Sequence, residues 1–403
     1  MADVTEIRLI DPEGDSRPAE TIEAAIAAPG MHHAEVRYAY GADCLPGPEE
    51  QGAGIWRYRG LLPLGPGPVR YPLPVGGTPL LAPPGLRAAL GTPELYLKDE
   101  TRGPSGSNKD RATALVLEYG LRRGVAAATC ASTGNVASSL ALGAAAAGMR
   151  AYVFVPAEVS DAKLRLMLLA GAEVFRVEQG YEAAFRLSRA AARAFGWLDR
   201  NTGVNPLTVD AKKTVAFEIW EQLGRSLPDV VVAPIGDGPT LAALAKGFRE
   251  LQACGATSRV PRLIGVQSEG CAPVYSAWRG AARAIGGAPG TIAEGIAVPE
   301  PVSLFVVQRD VRESGGTILA VPDEEILAAI PALLSGAGVC AEPAGAAAYA
   351  GLQRAVAAGL VERGERIVTL VTGSGFKTPQ YLRPLRTTRS IRGELAEVVA
   401  ALT

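Results

Sequence analysis

From about residue 94 onward, short apolar runs alternate with longer segments whose apolar residues recur at helical spacing. ELYLKDE, AAATCAS, MRAYVFVP, EVFRVE, DVVVAPI, RLIGVQS, TILAVP and RIVTLVT read as strands. RATALVLEYGLRRG, NVASSLALGAAAAG, DAKLRLMLLAG, YEAAFRLSRAAARAFG, KTVAFEIWEQLG, TLAALAKGFREL, EEILAAIPALLSG and PAGAAAYAGLQRAVAAG read as helices between them. Strands rich in Val, Ile and Leu, each followed by a helix, predict an α/β protein with parallel sheets covered by helices on both faces. Residues 1–60 are polar with scattered apolar positions, and GIWRYRGLLPLGPGP reads as an arm leading into the fold. DRNTGVNPLTVDA is expected to be a loop, and the tail RTTRSIRGELAEVVAALT a surface helix. No internal repeat is evident.

A length of 403 residues accommodates two such domains. The net charge of −1 gives no electrostatic reason to expect a nucleic acid or an anionic membrane as partner. The most apolar stretch, LALGAAAAGMRAYVFVPA, contains Arg150 and reads as a helix plus a buried strand, not a membrane span. MADVTEIRLIDPEGD is acidic and lacks a basic segment before an apolar one, so no secretory signal and a cytoplasmic location are expected. Cys44, Cys130, Cys254, Cys271 and Cys340 are widely spaced without a C-x-x-C, so neither a disulfide framework nor a zinc site is expected. The histidines are His32 and His33, whose side chains diverge on either a strand or a helix, which makes a poor metal site. Acid–base work is thereby expected of lysine, carboxylates, tyrosine or a cofactor.

The candidate chemistry sits in loops. In TRGPSGSNKDRATALVLEYG a Gly/Pro/Ser loop places Lys109 near a helix start, where the backbone dipole disfavours its positive charge. Such a lysine tends toward the neutral, nucleophilic form; the alternative is a solvated loop lysine. Ser132-Thr133-Gly134-Asn135 follows a strand and opens a helix, either as an anion cradle or as a plain N-cap. Gly236-Asp237-Gly238-Pro239-Thr240 is a second glycine-rich turn before a helix, without the spacing of a P-loop or a dinucleotide fingerprint. Thr372-Gly373-Ser374-Gly375 ends a strand, either offering a hydroxyl to a ligand or serving as a flexible turn. In α/β folds ligands gather at such strand ends.

In this order along the chain, these motifs resemble those of the fold-type II pyridoxal-phosphate enzymes, most closely the threonine synthase group, from about GIWRYRGLLPL to residue 384. GPSGSNKDR is similar to that group's P-T-G-S-F-K-D-R, which implies a Schiff base on Lys109, with Asn108 in place of Phe. The resemblance implies that Asn135 bonds the cofactor's 3′-oxygen and that Ser132, Thr133 and Gly134 hold the substrate carboxylate. It also implies that Gly236, Asp237, Gly238 and Thr240 cradle the phosphate and that Thr372 meets the pyridine nitrogen. Pro239 stands where a glycine is usual, removing one N–H. EPAGAAAYAGL fits as well. The implied architecture is a two-domain fold like the tryptophan synthase β subunit, with pyridoxal 5′-phosphate, a small amino-acid substrate and a homodimer. Its expected division is an arm and first part of the large domain at 1–121, a smaller domain at 122–220, the rest of the large domain at 221–385, and a tail at 386–403.

The substrate segment departs from the pattern. The group usually shows N-S-x-N-P-[FY]-R-x-E-G-Q-K-T; here Thr202-Gly203 replaces Asn-Ser and Thr208 replaces Arg. Losing these donors removes charge-assisted bonds of roughly 1.5–3 kcal/mol each to a dianionic leaving group, unless Lys212 or Arg200 substitutes. TIAEGIAV leans toward dehydratase relatives. The expected activity is β- or γ-elimination or replacement on a small amino acid with a side-chain leaving group. The alternatives are a threonine synthase using O-phosphohomoserine, a threonine- or serine-type ammonia-lyase, and a non-catalytic protein that keeps the fold.

Overall fold

The computed structural model describes residues 2–30, 32–50, 52–159, 161–281, 290–386, 388 and 390–402. Its larger sheet runs in the order Thr317–Val321, Arg262–Ser268, Val230–Pro234, Ile367–Val371, Leu95–Asp99, Leu80–Leu81. All neighbours are parallel except the short Leu80–Leu81 edge, which is antiparallel. A second sheet, Glu173–Val177, Arg150–Pro156, Ala127–Ala131, Leu198–Asp199, is wholly parallel.

Both faces of each sheet are covered, as continuous apolar strands require. In Val230–Pro234 the side chains alternate between two cores. Val231 and Ala233 pack with Leu115, Val215 and Phe248 from the helices Lys109–Arg122, Pro206–Gln222 and Pro239–Ala253. Val230 and Val232 pack with Ile330, Leu333 and Ala347 from Asp323–Ala337 and Pro343–Ala357. The second sheet repeats the device, with Cys130 and Val153 facing Leu140 and Met167, and Ala127 and Tyr152 facing Ala184. Cys44, Cys130, Cys254, Cys271 and Cys340 are buried and free. Among the described residues no helix is long and apolar enough to cross a membrane.

Three segments differ from the sequence expectation. Residues 1–60 are not only an arm: Ser16–Pro18, Val4–Ile10 and His33–Tyr38 form an antiparallel sheet. Its inner positions Ile7, Leu9, Val36 and Tyr38 join the core beneath Pro206–Gln222. The alternation is short and diluted by charges, so it reads as polar chain until a partner surface is supplied. The expected loop at 199–211 is helical from Pro206, because Asn205 caps the Leu207 N–H at 3.0 Å and Pro206 occupies the first helical position. Lys212 and Lys213 thereby lie inside a helix. In the tail, helix is confined to Leu395–Leu402 among the described residues.

Candidate active site

The four candidate loops each follow the carboxyl end of a parallel strand. Three of those strands, Val230–Pro234, Ile367–Val371 and Leu95–Asp99, are neighbours in the larger sheet. Lys109 is the first residue of its helix, preceded by Asn108, which makes no side-chain cap. Its loop is fastened to the Thr372 loop by the Asn108 N–H to Thr372 O bond at 2.9 Å, the Ser374 N–H to Gly106 O bond at 2.9 Å and a Ser107–Gly373 bridge. Asp110 holds the approach, accepting from the Ser105 N–H at 2.9 Å and the Ser105 hydroxyl at 2.6 Å.

The Lys109 amine donates to Asn108 Oδ1 at 3.0 Å, and burial, opposed by Glu342 and reinforced by Arg200, pushes it down to about 8. Asn108 Nδ2 donates to Thr240 Oγ1 at 3.3 Å. The Asn that departs from the expected Phe thus ties the lysine to the glycine loop.

Asn135 is also brought in. Its Nδ2 donates to Glu342 Oε1 at 2.7 Å, and Lys377 donates to Asn135 Oδ1 and, at 3.0 Å, to Gly106 O. Burial raises the Glu342 carboxyl against the pull of Lys377. A Cβ at Gly373 would lie 2.3 Å from Glu342 Oε1, so glycine is required for this approach. Glu342 stood inside the recognised EPAGAAAYAGL and Lys377 two residues beyond Thr372-Gly373-Ser374-Gly375, yet the sequence assigned neither a role. Their signal was a carboxylate and a lysine each placed directly beside a glycine-rich loop.

Ser132, Thr133 and Gly134 join only through Asn135. Ser132 Oγ accepts from the Gly134 N–H at 3.2 Å, and the helix Asn135–Ala146 starts on Gly134 without a side-chain cap. The helix therefore starts without the side-chain cap of the alternative reading, and the Thr133 and Asn135 N–H groups can receive an anion.

The glycine loop opens Pro239–Ala253, again without a side-chain cap. Gly238 has φ 98°, and a Cβ there would meet Ser303 Cβ at 2.7 Å. Gly236 is equally confined, with a Cβ 3.0 Å from Ile296 Cα. Pro239 occupies the first helical position, where an N–H has no partner inside the helix in any case. The Asp237 carboxyl accepts from the Val302 N–H at 2.7 Å and is pushed up to about 6 by burial.

Beside the lysine lie two further cations. Arg200, fully buried, donates at 3.0 Å each to Thr113 Oγ1, Thr202 Oγ1 and Lys109 O. Lys212 is 2% exposed and lies near Lys109, Arg200 and Asp237.

These groups fit the cofactor that the resemblance implies. The fit rests on a half-buried lysine amine of lowered basicity, an uncapped glycine turn that a Cβ would fill, and a buried Thr372 hydroxyl at a strand end. A hydroxyl opposite a pyridine nitrogen does not force its protonation, as a carboxylate would.

A family model described as pyridoxal-phosphate dependent enzyme matches residues 71–373. Threonine synthase of Methanosarcina acetivorans is 37% identical over 329 residues, 81% of this chain and 80% of that protein. The enzyme of that name from Mycobacterium leprae is 36% identical, over 81% of this chain and 88% of its own. Solved structures share the fold. The processed threonine deaminase isoform 2 of Solanum lycopersicum superposes with a TM-score of 0.63 at 21% identity, over 75% of this chain and 86% of that one. A fungal L-serine ammonia-lyase from Rhizomucor miehei gives 0.63 at 21%, over 76% and 98%. This chain belongs to the pyridoxal-phosphate-dependent enzymes and has their fold-type II architecture.

Proposed function

We propose that this enzyme catalyses β- or γ-elimination or replacement on a small amino acid with a side-chain leaving group. The observation that carries the reading is the Lys109 amine. It is lowered to about 8 at a helix start and pinned between the glycine loop and the Thr372 loop. Bound pyridoxal phosphate supplies an electron sink for the pair left at Cα. Lys109 holds it covalently, and when free its amine moves the proton at the substrate's Cα. Gly236, Asp237, Gly238 and Thr240 hold the phosphate on backbone N–H groups and the Thr240 hydroxyl, Asn135 the ring oxygen, and Thr372 the ring nitrogen. The loop Ser132-Thr133-Gly134, running into Asn135, receives the substrate carboxylate on the Thr133 and Asn135 N–H groups, since the Ser132 N–H is committed to Phe154 O and the Gly134 N–H to Ser132 Oγ. A pseudoenzyme would have no use for such a lysine, which disfavours the non-catalytic reading.

A threonine synthase is the second reading, favoured by 37% identity over 81% of the chain to an enzyme of that name. Incubating the yellow, cofactor-loaded protein with O-phosphohomoserine decides between them. Phosphate release with threonine as product would establish the synthase. Ammonia release from serine or threonine would establish a lyase. Failure of borohydride to fix the cofactor on Lys109 would sink both. We read the enzyme as cytoplasmic from the acidic MADVTEIRLIDPEGD, and by resemblance as a homodimer with its smaller domain at 122–220; light scattering on the purified protein tests the dimer.

A further inference from the structure

The helix Pro206–Gln222 buries several charges, and its neighbours of Lys212 are neutralised by partners of opposite sign. Lys213 pairs with Asp210 at 3.3 Å and Glu250 at 2.9 Å, and Lys246 with Asp210 at 3.0 Å. Glu218 pairs with Lys98 at 2.6 Å and Arg111 at 2.6 Å. Lys212, on the same helix and 2% exposed, has neither hydrogen bond nor ion pair among the described residues. Arg200 beside it bonds, among the described residues, to hydroxyls and a carbonyl. Asp237 is the opposing charge nearby, and one of its oxygens is committed to the Val302 N–H.

A desolvated ammonium without a counter-ion is unfavourable, so burial holds the Lys212 amine well below its usual range, and an anion bound beside it would restore the charge. Under the function proposed above, Lys109 is tied up by the cofactor, the cofactor phosphate has the glycine loop, and the substrate's own carboxylate has the loop at 132–135. Lys212 and Arg200 then remain; Asp110 and Asp199 act on Arg200, and Asp237 is the carboxylate that acts on Lys212. We infer that Lys212, with Arg200 behind it, is the specificity-determining residue that receives an oxyanion on the substrate's side chain, a phosphate ester or a carboxylate.

The test uses holoenzyme whose Lys109 linkage has been verified by borohydride trapping, so a failure of the underlying reading shows separately. Inorganic phosphate is titrated by calorimetry into wild type, Lys212→Gln, Lys212→Arg and Lys212→Met, each checked by thermal melting. We expect saturable binding to wild type, weakened roughly tenfold to a hundredfold in Lys212→Gln and Lys212→Met, and largely restored in Lys212→Arg. Titration in buffers of differing ionisation enthalpy should show more proton uptake on binding in wild type than in Lys212→Gln, the difference being the proton that Lys212 gains. Equal binding by wild type and the neutral variants, or no binding by wild type, overturns the inference. So does a collapse of pyridoxal-phosphate affinity in Lys212→Gln with phosphate binding intact, which would place Lys212 on the cofactor instead.

Discussion

Asn108 shows how much one side chain can settle. Its Oδ1 accepts from the Lys109 amine at 3.0 Å, a bond that favours the protonated form. Replacing it with alanine should lower the amine below its present value of about 8, by roughly half a unit to one unit. The pH profile of cofactor incorporation, which needs the neutral amine, should move to lower pH by that amount; an unmoved profile would refute the role. Lys212 makes the opposite kind of prediction. Without ligand it is a buried amine that burial drives away from its charged form, so Lys212→Met should stabilise the cofactor-free protein by about 1–3 kcal/mol in denaturant unfolding. Lys109 was legible in the sequence because a lysine in a Gly/Ser loop before a helix has few structural reasons to be there. The partnership of Glu342, Asn135 and Lys377 was not, because Asn135 lies more than two hundred positions from the other two and follows a strand of the other sheet.

Elements were legible where periodicity ran uninterrupted and illegible where a cap or a tertiary partner decided. The parallel strands and their helices follow from apolar runs such as VVVAP and IVTLV. The start of Pro206–Gln222 depended on Asn205 and Pro206, which equally suit a turn. What holds this helix against Lys109–Arg122 is a buried network. Arg111 donates to Glu100 at 2.7 Å and to Glu218 at 2.6 Å, and Lys98 donates to Glu218 at 2.6 Å. Arg111→Met would leave Glu100 and part of Glu218 uncompensated and should cost about 3–5 kcal/mol of unfolding free energy. The exposed pair Arg186–Glu182 is the control: Arg186→Met should change stability by less than about 0.5 kcal/mol. Equal effects in the two denaturant midpoints would contradict the network's importance.

At the scale of the molecule, the N-terminal sheet is seamed to the rest through His33, whose Nδ1 meets Ser303 Oγ at 2.8 Å. Arg309 pairs with Glu35 at 2.6 Å on the same seam. Burial pushes His32 and His33 both down to about 4, so each is neutral in the folded protein while the unfolded chain titrates near 6.5. The unfolded state then binds more protons between those values, and stability falls as pH drops through 6.5 toward 4. At about pH 5.5 the loss should be on the order of 1 kcal/mol per histidine relative to neutral pH. His33→Gln should abolish its share; an unchanged pH dependence of the denaturation midpoint would count against this account.

The stitching of the lysine loop to the strand end has a mechanical consequence. With Asn108 N–H on Thr372 O, Ser374 N–H on Gly106 O and the Ser107–Gly373 bridge, the backbone at residue 109 is a fixed pivot carried by the sheet. The amine can travel only as far as its own methylene chain swings. Each return to its starting point restores a few side-chain torsions and no backbone ones, so resetting the site between turnovers requires little conformational search.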